Sequence, residues 1–142
     1  MMGEVDLVIS GGKVYFQGSI LEGGVAVQEG KIVAVAKDAA LPRGEEHFDV
    51  GGRILCPGFI DAHVHLRDLK YSYKEDFRSG TLAAAAGGFT AVLDMPNTDP
   101  VTDSLGSMAE KMERARANAY VNVGFYLALT KRTDFRALSL GV

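Results

Sequence analysis

The chain has no tryptophan, a single cysteine and only 4 prolines in 142 residues. One cysteine, Cys56, cannot close an internal disulfide. Set among Ile54, Leu55 and Pro57, it reads as a small buried hydrophobe rather than a nucleophile. Positive charge is not in excess either: 15 Lys and Arg stand against 18 Asp and Glu, a net charge of −3. Without a basic block, nucleic acid and anionic membrane are not expected partners. No apolar run approaches the ~20 residues that a membrane span needs. Met1-Met2-Gly3-Glu4 opens without the basic and apolar regions of a signal peptide, so a cytoplasmic protein is expected. What the chain does have is 47 % hydrophobic residues, enough for a packed core, and 17 glycines whose placement punctuates the fold.

Residues 5–36 read as short strands. Val5, Leu7 and Ile9 alternate with Asp6, Val8 and Ser10; Gly11-Gly12 reads as a turn; Val14 and Phe16 resume the alternation. Val25 and Val27 lead into Gln28-Glu29-Gly30-Lys31, a hairpin-type turn, and a strand over 32–36. Another strand over 47–50 ends at Gly51-Gly52. This spacing predicts a small antiparallel sheet or sandwich over residues 1–53. His47, isolated among Glu45, Glu46 and Asp49, reads as a surface residue.

Over 54–142 strand-like and helix-like pieces alternate, which argues for a parallel sheet with crossover helices and an α/β fold. A strand over 54–66 is followed by Ser72-Tyr73-Lys74-Glu75, a capping-box pattern that starts a helix stopped by Gly87-Gly88. A second strand covers 89–95. Asp99, Pro100 and Thr102 open a second helix whose Leu105, Met108, Met112 and Ala115 recur at helical spacing as a core stripe. A third strand over 120–129 places Asn122, Gly124 and Tyr126 opposite Val121, Val123, Phe125 and Leu127. Thr133-Asp134 begins a third helix.

The chemistry concentrates in Pro57-Gly58-Phe59-Ile60-Asp61-Ala62-His63-Val64-His65-Leu66-Arg67. On a strand, Phe59, Asp61, His63, His65 and Arg67 share one face, and Ile60, Ala62, Val64 and Leu66 the other. Burying a carboxylate, two imidazoles and a guanidinium unpaired would cost roughly 1–3 kcal/mol each. A metal ion held by His63 and His65 accounts for them economically, since neutral imidazole is a common zinc ligand. Taken by itself, His-x-His is a weak signal that more often marks two satisfied polar side chains than a metal site.

The segment 57–67 resembles the first barrel strand of the amidohydrolase superfamily. With Tyr73-Lys74-Glu75-Asp76 and Asp94-Met95-Pro96-Asn97-Thr98, the chain is most similar to the dihydroorotase family of cyclic amidohydrolases. The resemblance implies a (β/α)8 TIM-type barrel, here as its first three βα units, with chemistry at the C-terminal strand ends. His63, His65, Arg67, Asp94 and Asn97 fall at such ends. It further implies one or two Zn2+ ions bound by His63 and His65, with Arg67 and Asn97 holding a substrate carboxylate. The reaction implied is the reversible interconversion of dihydroorotate and N-carbamoyl-L-aspartate in pyrimidine biosynthesis. Asp61 suits an acceptor for an imidazole N–H, or equally a strand-start carboxylate bonded to backbone. Without the family, Arg67 would suit a solvated strand-end charge and Asn97 a turn residue; Asp94 is open in the same way.

Two departures stand out. Leu69-Lys70 occupies the place where the family usually has Pro-Gly. The family's bridging carboxylated lysine, later histidine ligands and catalytic aspartate come from later strands that have no match here; Lys131 follows the third strand and does not take the lysine's role. A complete barrel needs ~250 residues. The expectation is therefore an incomplete chain, inactive alone, whose partners are a small cyclic amide bearing a carboxylate and a second copy, a transcarbamoylase or a complementary C-terminal half. A hydantoin, dihydropyrimidine or allantoin hydrolase, and a non-catalytic assembly subunit, are the competing readings.

Overall fold

The computed structural model describes residues 4–133. Two compact units divide between Pro57 and Gly58.

The first unit is one five-stranded sheet. Its strands are β1 (Val5–Phe16), β2 (Ser19–Gln28), β3 (Lys31–Ala36), β4 (Gly44–Asp49) and β5 (Ile54–Leu55). The order is β3-β2-β1-β4, with β5 also on β1. β1 pairs antiparallel with β2 but parallel with both β4 and β5, so the sheet is mixed and not antiparallel as expected. Gly11-Gly12 is not a turn. β1 runs through it, and the register to β2 shifts there, between Ile9 and Gly12. The backbone groups freed by that bulge are met from outside: Gly11 N donates to Asp38 Oδ1 at 3.1 Å, and Val50 N to Ser10 O at 3.0 Å. Beside it Gly24 lies so close to β1 that a Cβ would stand 1.9 Å from Ile9 O. The hairpin at Glu29 and Gly30 forms as read, both residues taking positive φ.

The core of this unit gathers Val5, Val8 and Ala26, with Ala34 and Leu41 packed against them. Val8, Ala26 and Ala34 are register neighbours across three strands. Val8 is buried together with Val5, whereas Leu7 and Ile9, expected to share the face of Val5, are only half-buried. His47 lies exposed on β4 and hydrogen bonds Ser10 Oγ at 2.7 Å.

The second unit is a parallel three-stranded sheet, β6 (Phe59–Val64), β7 (Phe89–Asp94) and β8 (Asn122–Phe125), in that order. Helix α1 (Phe77–Ala86) links β6 to β7, and α2 (Leu105–Asn118) links β7 to β8. This is the alternating α/β pattern read from sequence, with differences at the boundaries. The continuous strand over 54–66 is two strands: β5 joins the first sheet, and Cys56 between them is exposed, not buried. Gly58 then brings the chain against β7, where an added Cβ would meet Thr90 Cγ2 at 2.1 Å. Helix α1 begins later than Ser72 predicts. Its N-cap is Asp76, whose carboxylate accepts from Ser79 N at 2.7 Å. Helix α2 begins at a Ser104–Ser107 capping box, after the Asp99, Pro100 and Thr102 expected to open it. The third helix, from Thr133-Asp134, lies outside the described residues.

The core of this unit is Leu66, Phe77, Val92 and Ala115, with Val64, Phe89, Val121, Val123 and Phe125 against it. Phe77 and Phe125 meet edge to face with centroids 6.0 Å apart. Fully burying each such side chain is worth about 1.5–3 kcal/mol. The stripe read on α2 is displaced: the covered residues are Lys111 and Ala115, whereas Leu105 and Met112 are exposed. Among the described residues, no helix is long and apolar enough to cross a membrane.

Candidate metal and carboxylate site

Strand alternation along β6 sends Val64 toward the core and leaves His63 exposed on the opposite face. His65 follows just beyond the last strand residue, also exposed. Their rings lie edge to face with centroids 5.2 Å apart. His65 Nδ1 is 2.9 Å from Asn97 Oδ1. With Asn97 Oδ1 as the acceptor, the tautomer that fits carries its proton on Nδ1 and presents Nε2 to a ligand. Asp61 is turned elsewhere: its Oδ1 accepts from the backbone N–H of His63 at 3.0 Å.

Arg67 is half-buried, and its Nη1 reaches Asn97 O at 3.5 Å. The i+2 strand rule does not put it there, because β6 has ended. Arg67, Asp68 and Leu69 take φ of 58°, 50° and 52°. Left-handed backbone costs L residues about 1–2 kcal/mol each. Asn97 is presented by a loop with two buried threonines. Thr98 Oγ1 donates to Pro100 O at 2.8 Å, and Thr102 N to Pro96 O at 3.0 Å. His65, Arg67 and Asn97 thus form one contiguous polar group with His63 alongside.

Asp94 does not join them. Its side chain lies on the helix-covered face of β7, fully buried, with Oδ1 accepting from Leu66 N at 2.7 Å. Its Oδ2 stands 2.6 Å from Lys111 Nζ, both side chains at zero exposure. That contact is an ion pair off the hydrogen-bond direction, since Oδ2 has no well-directed donor. The ammonium spends its directed bond on Met95 O at 2.9 Å. Asp94 therefore fixes the backbone between His65 and Arg67 from behind the sheet. Glu75 serves the start of α1, its Oε1 accepting from Asp76 N at 3.2 Å; the Lys74 side chain instead lies against the preceding turn, its Nζ 5.3 Å from the centre of the Tyr71 ring.

Sequence reasoning did not single out Asp68 or Lys111. Lys111 carried a signal, a charge set inside an apolar helical stripe between Met108 and Ala115. Asp68 carried none, because its burial follows from a backbone turn that sequence periodicity does not describe.

The donor chemistry suits two positions of a zinc site. Two imidazoles lie side by side, and one ring is fixed by a hydrogen bond on its far nitrogen, the usual arrangement of a metal-bound histidine. Catalytic zinc commonly takes three protein ligands. Among the described residues no group of three or more His, Cys, Asp or Glu is placed to hold a metal ion.

The Dihydro-orotase-like family model matches residues 52–139. A dihydroorotase of Bacillus cytotoxicus is 43 % identical over 128 residues, covering 86 % of this chain and 30 % of that protein. One from Geobacter sp. is 43 % identical over 121 residues, covering 84 % and 28 %. Among solved structures, the L-hydantoinase (dihydropyrimidinase) of Arthrobacter aurescens aligns with a TM-score of 0.81 at 28 % identity, over 87 % of this chain and 28 % of that one. The D-hydantoinase of Thermus sp. aligns with a TM-score of 0.76 at 25 % identity, over 94 % and 30 %. The chain spans about 30 % of the length of the curated relatives it matches. With its matched residues running from the second glycine of the β4–β5 turn past β8, the chain belongs to the dihydro-orotase-like family.

Proposed function

We infer that the chain contributes the first βα units of a (β/α)8 barrel in a zinc-dependent cyclic amidohydrolase of dihydroorotase type, with a carboxylate-bearing ring as substrate. The observation that carries this reading is the joined group of His65, Asn97 and Arg67 beside His63. His63 and His65 supply two nitrogen ligands to zinc. Bound zinc would polarise the ring carbonyl and acidify a water to a pKa near ~7. The rest falls to the chain's own side chains. Arg67 presents a planar pair of N–H donors to the substrate carboxylate, the geometry in which guanidinium recognises carboxylate. Asn97 gives its carbonyl oxygen to His65 and keeps its amide N–H2 for the same carboxylate. The ring is thereby anchored at its carboxylate and turned with its amide toward the imidazole pair. Hydrolysis adds one water across the ring C–N bond and leaves an open ureido acid.

The similarity of fold to hydantoinases favours a second reading, in which the ring is a hydantoin or dihydropyrimidine. The two separate in one measurement. Zinc-loaded protein carrying this chain is expected to open dihydroorotate in preference to hydantoin, dihydrouracil and allantoin. Arg67→Met should raise KM for dihydroorotate about tenfold or more, the loss of a charge-assisted pair. Preferred turnover of hydantoin, indifferent to Arg67, would refute the dihydroorotase assignment.

A further inference from the structure

The turn that carries the chain off β6 holds three successive non-glycine residues, Arg67, Asp68 and Leu69, at φ near +50°. Such runs persist only where the surroundings over-determine them. Here the surroundings converge on one carboxylate. Asp68 is 2 % exposed. Its Oδ1 accepts from Leu69 N and from Arg114 Nε, the latter at 2.7 Å, and its Oδ2 accepts from Phe77 N at 3.1 Å. Its own N–H donates to Glu75 O at 3.0 Å, and its carbonyl accepts from Tyr71 N at 2.8 Å. Donors from the turn, from the first residue of α1 and from the third turn of α2 thus meet on a side chain that touches neither imidazole nor Asn97. The residue before it, Arg67, is the one that faces Asn97.

We propose that Asp68, paired with Arg114, is a positioning residue for the carboxylate-binding half of the site. It holds residues 67–69 in the left-handed turn and so sets the direction of the Arg67 guanidinium. Proline and glycine would stiffen or ease such a turn from within. Leu69-Lys70 does neither, so the hold comes from the buried carboxylate. This inference rests on the reading of Arg67 and Asn97 as carboxylate ligands.

The test is calorimetric binding to the zinc-loaded protein carrying this chain, with two probes: L-dihydroorotate and its neutral carboxamide analogue. Asp68→Asn keeps the shape but turns one acceptor into a donor facing other donors. Arg114→Leu removes the distant partner without touching the turn. Each is expected to weaken dihydroorotate about tenfold, to leave the carboxamide within about twofold, and to leave zinc stoichiometry unchanged. Leu69→Gly added to Asp68→Asn should recover part of the loss, since glycine takes positive φ without a Cβ clash. Equal weakening of both probes, loss of zinc in the same variants, or no recovery by glycine overturns the proposal. Wild-type protein that binds both probes equally overturns the carboxylate reading beneath it instead.

Discussion

Lys111 shows how far a single residue can be from the chemistry and still support it. Its ammonium is fully buried against Asp94, whose other oxygen holds the Leu66 N–H between His65 and Arg67. Buried ion pairs contribute little beyond an apolar replacement of both partners, but removing one partner strands the other charge. Lys111→Met should therefore destabilise the second unit by about 3–5 kcal/mol, measured as a lower urea midpoint. Asp94→Leu with Lys111→Met should be milder, the residual loss being the unpaired Leu66 N–H at about 1–3 kcal/mol. A double variant as unstable as Lys111→Met would show that the pair is not the source of the effect. The same pair marks a boundary of sequence reading. Strand alternation puts Thr90, Val92 and Asp94 on one face of β7. It could not show that helices cover that face, because β7 carries apolar residues on both. His63 and His65 were legible because the opposite residues, Val64 and Leu66, are unambiguously apolar.

At the scale of elements, strand and helix types were readable from period and punctuation, while starts and ends followed local hydrogen bonding. Ser72 with Glu75 has the capping-box spacing, yet α1 starts where Asp76 meets Ser79. Glu75 Oε1 turns to Asp76 N and Ser79 instead of back toward Ser72. Gly11-Gly12 looked like a turn, but two parallel neighbours, β4 and β5, share the long β1 and need it to bend, not to reverse. Neither neighbour is visible from local sequence, since parallel pairing is set by distant residues. The Asp76 cap carries a prediction. Hydrogen bonds from the Ser79 backbone and hydroxyl, foremost among the causes, hold its carboxyl below the usual 3.8. A depressed folded pKa gives stability that is complete above the unfolded pKa and is lost as pH falls through the folded one. Asp76→Ala should cost about 1 kcal/mol at neutral pH. The gap between variant and parent should close below about pH 4, as read by far-UV circular dichroism melts across pH. A gap that persists at lower pH would assign the loss to packing and not to the charged cap.

At the scale of the whole chain, two facts bear on what 142 residues can do alone. On the proposed reading the imidazole pair would supply two metal ligands, with no third placed beside them among the described residues. In the parallel sheet, β6 and β8 each have one strand neighbour there, and large apolar side chains such as Ile60, at 67 %, and Leu129, at 70 %, stand exposed. Four-ligand structural zinc sites bind with roughly 10–16 kcal/mol. Half such a set should hold zinc with about 5–8 kcal/mol, a Kd between ~0.2 mM and ~1 µM. Unpaired strand edges and uncovered apolar surface favour association with another chain. The 142-residue chain expressed by itself should therefore bind zinc weakly, lose it on gel filtration and elute larger than a monomer. His63→Ala or His65→Ala should abolish the weak binding, followed by competition with a chromogenic chelator, without altering the elution volume. Adding the remaining barrel segment of a dihydroorotase relative as a separate chain should tighten zinc by at least about a hundredfold if it completes the ligand set. Nanomolar zinc held by a monomer of the chain alone would contradict this account, because the two imidazoles would then need protein ligands that the described residues do not place beside them.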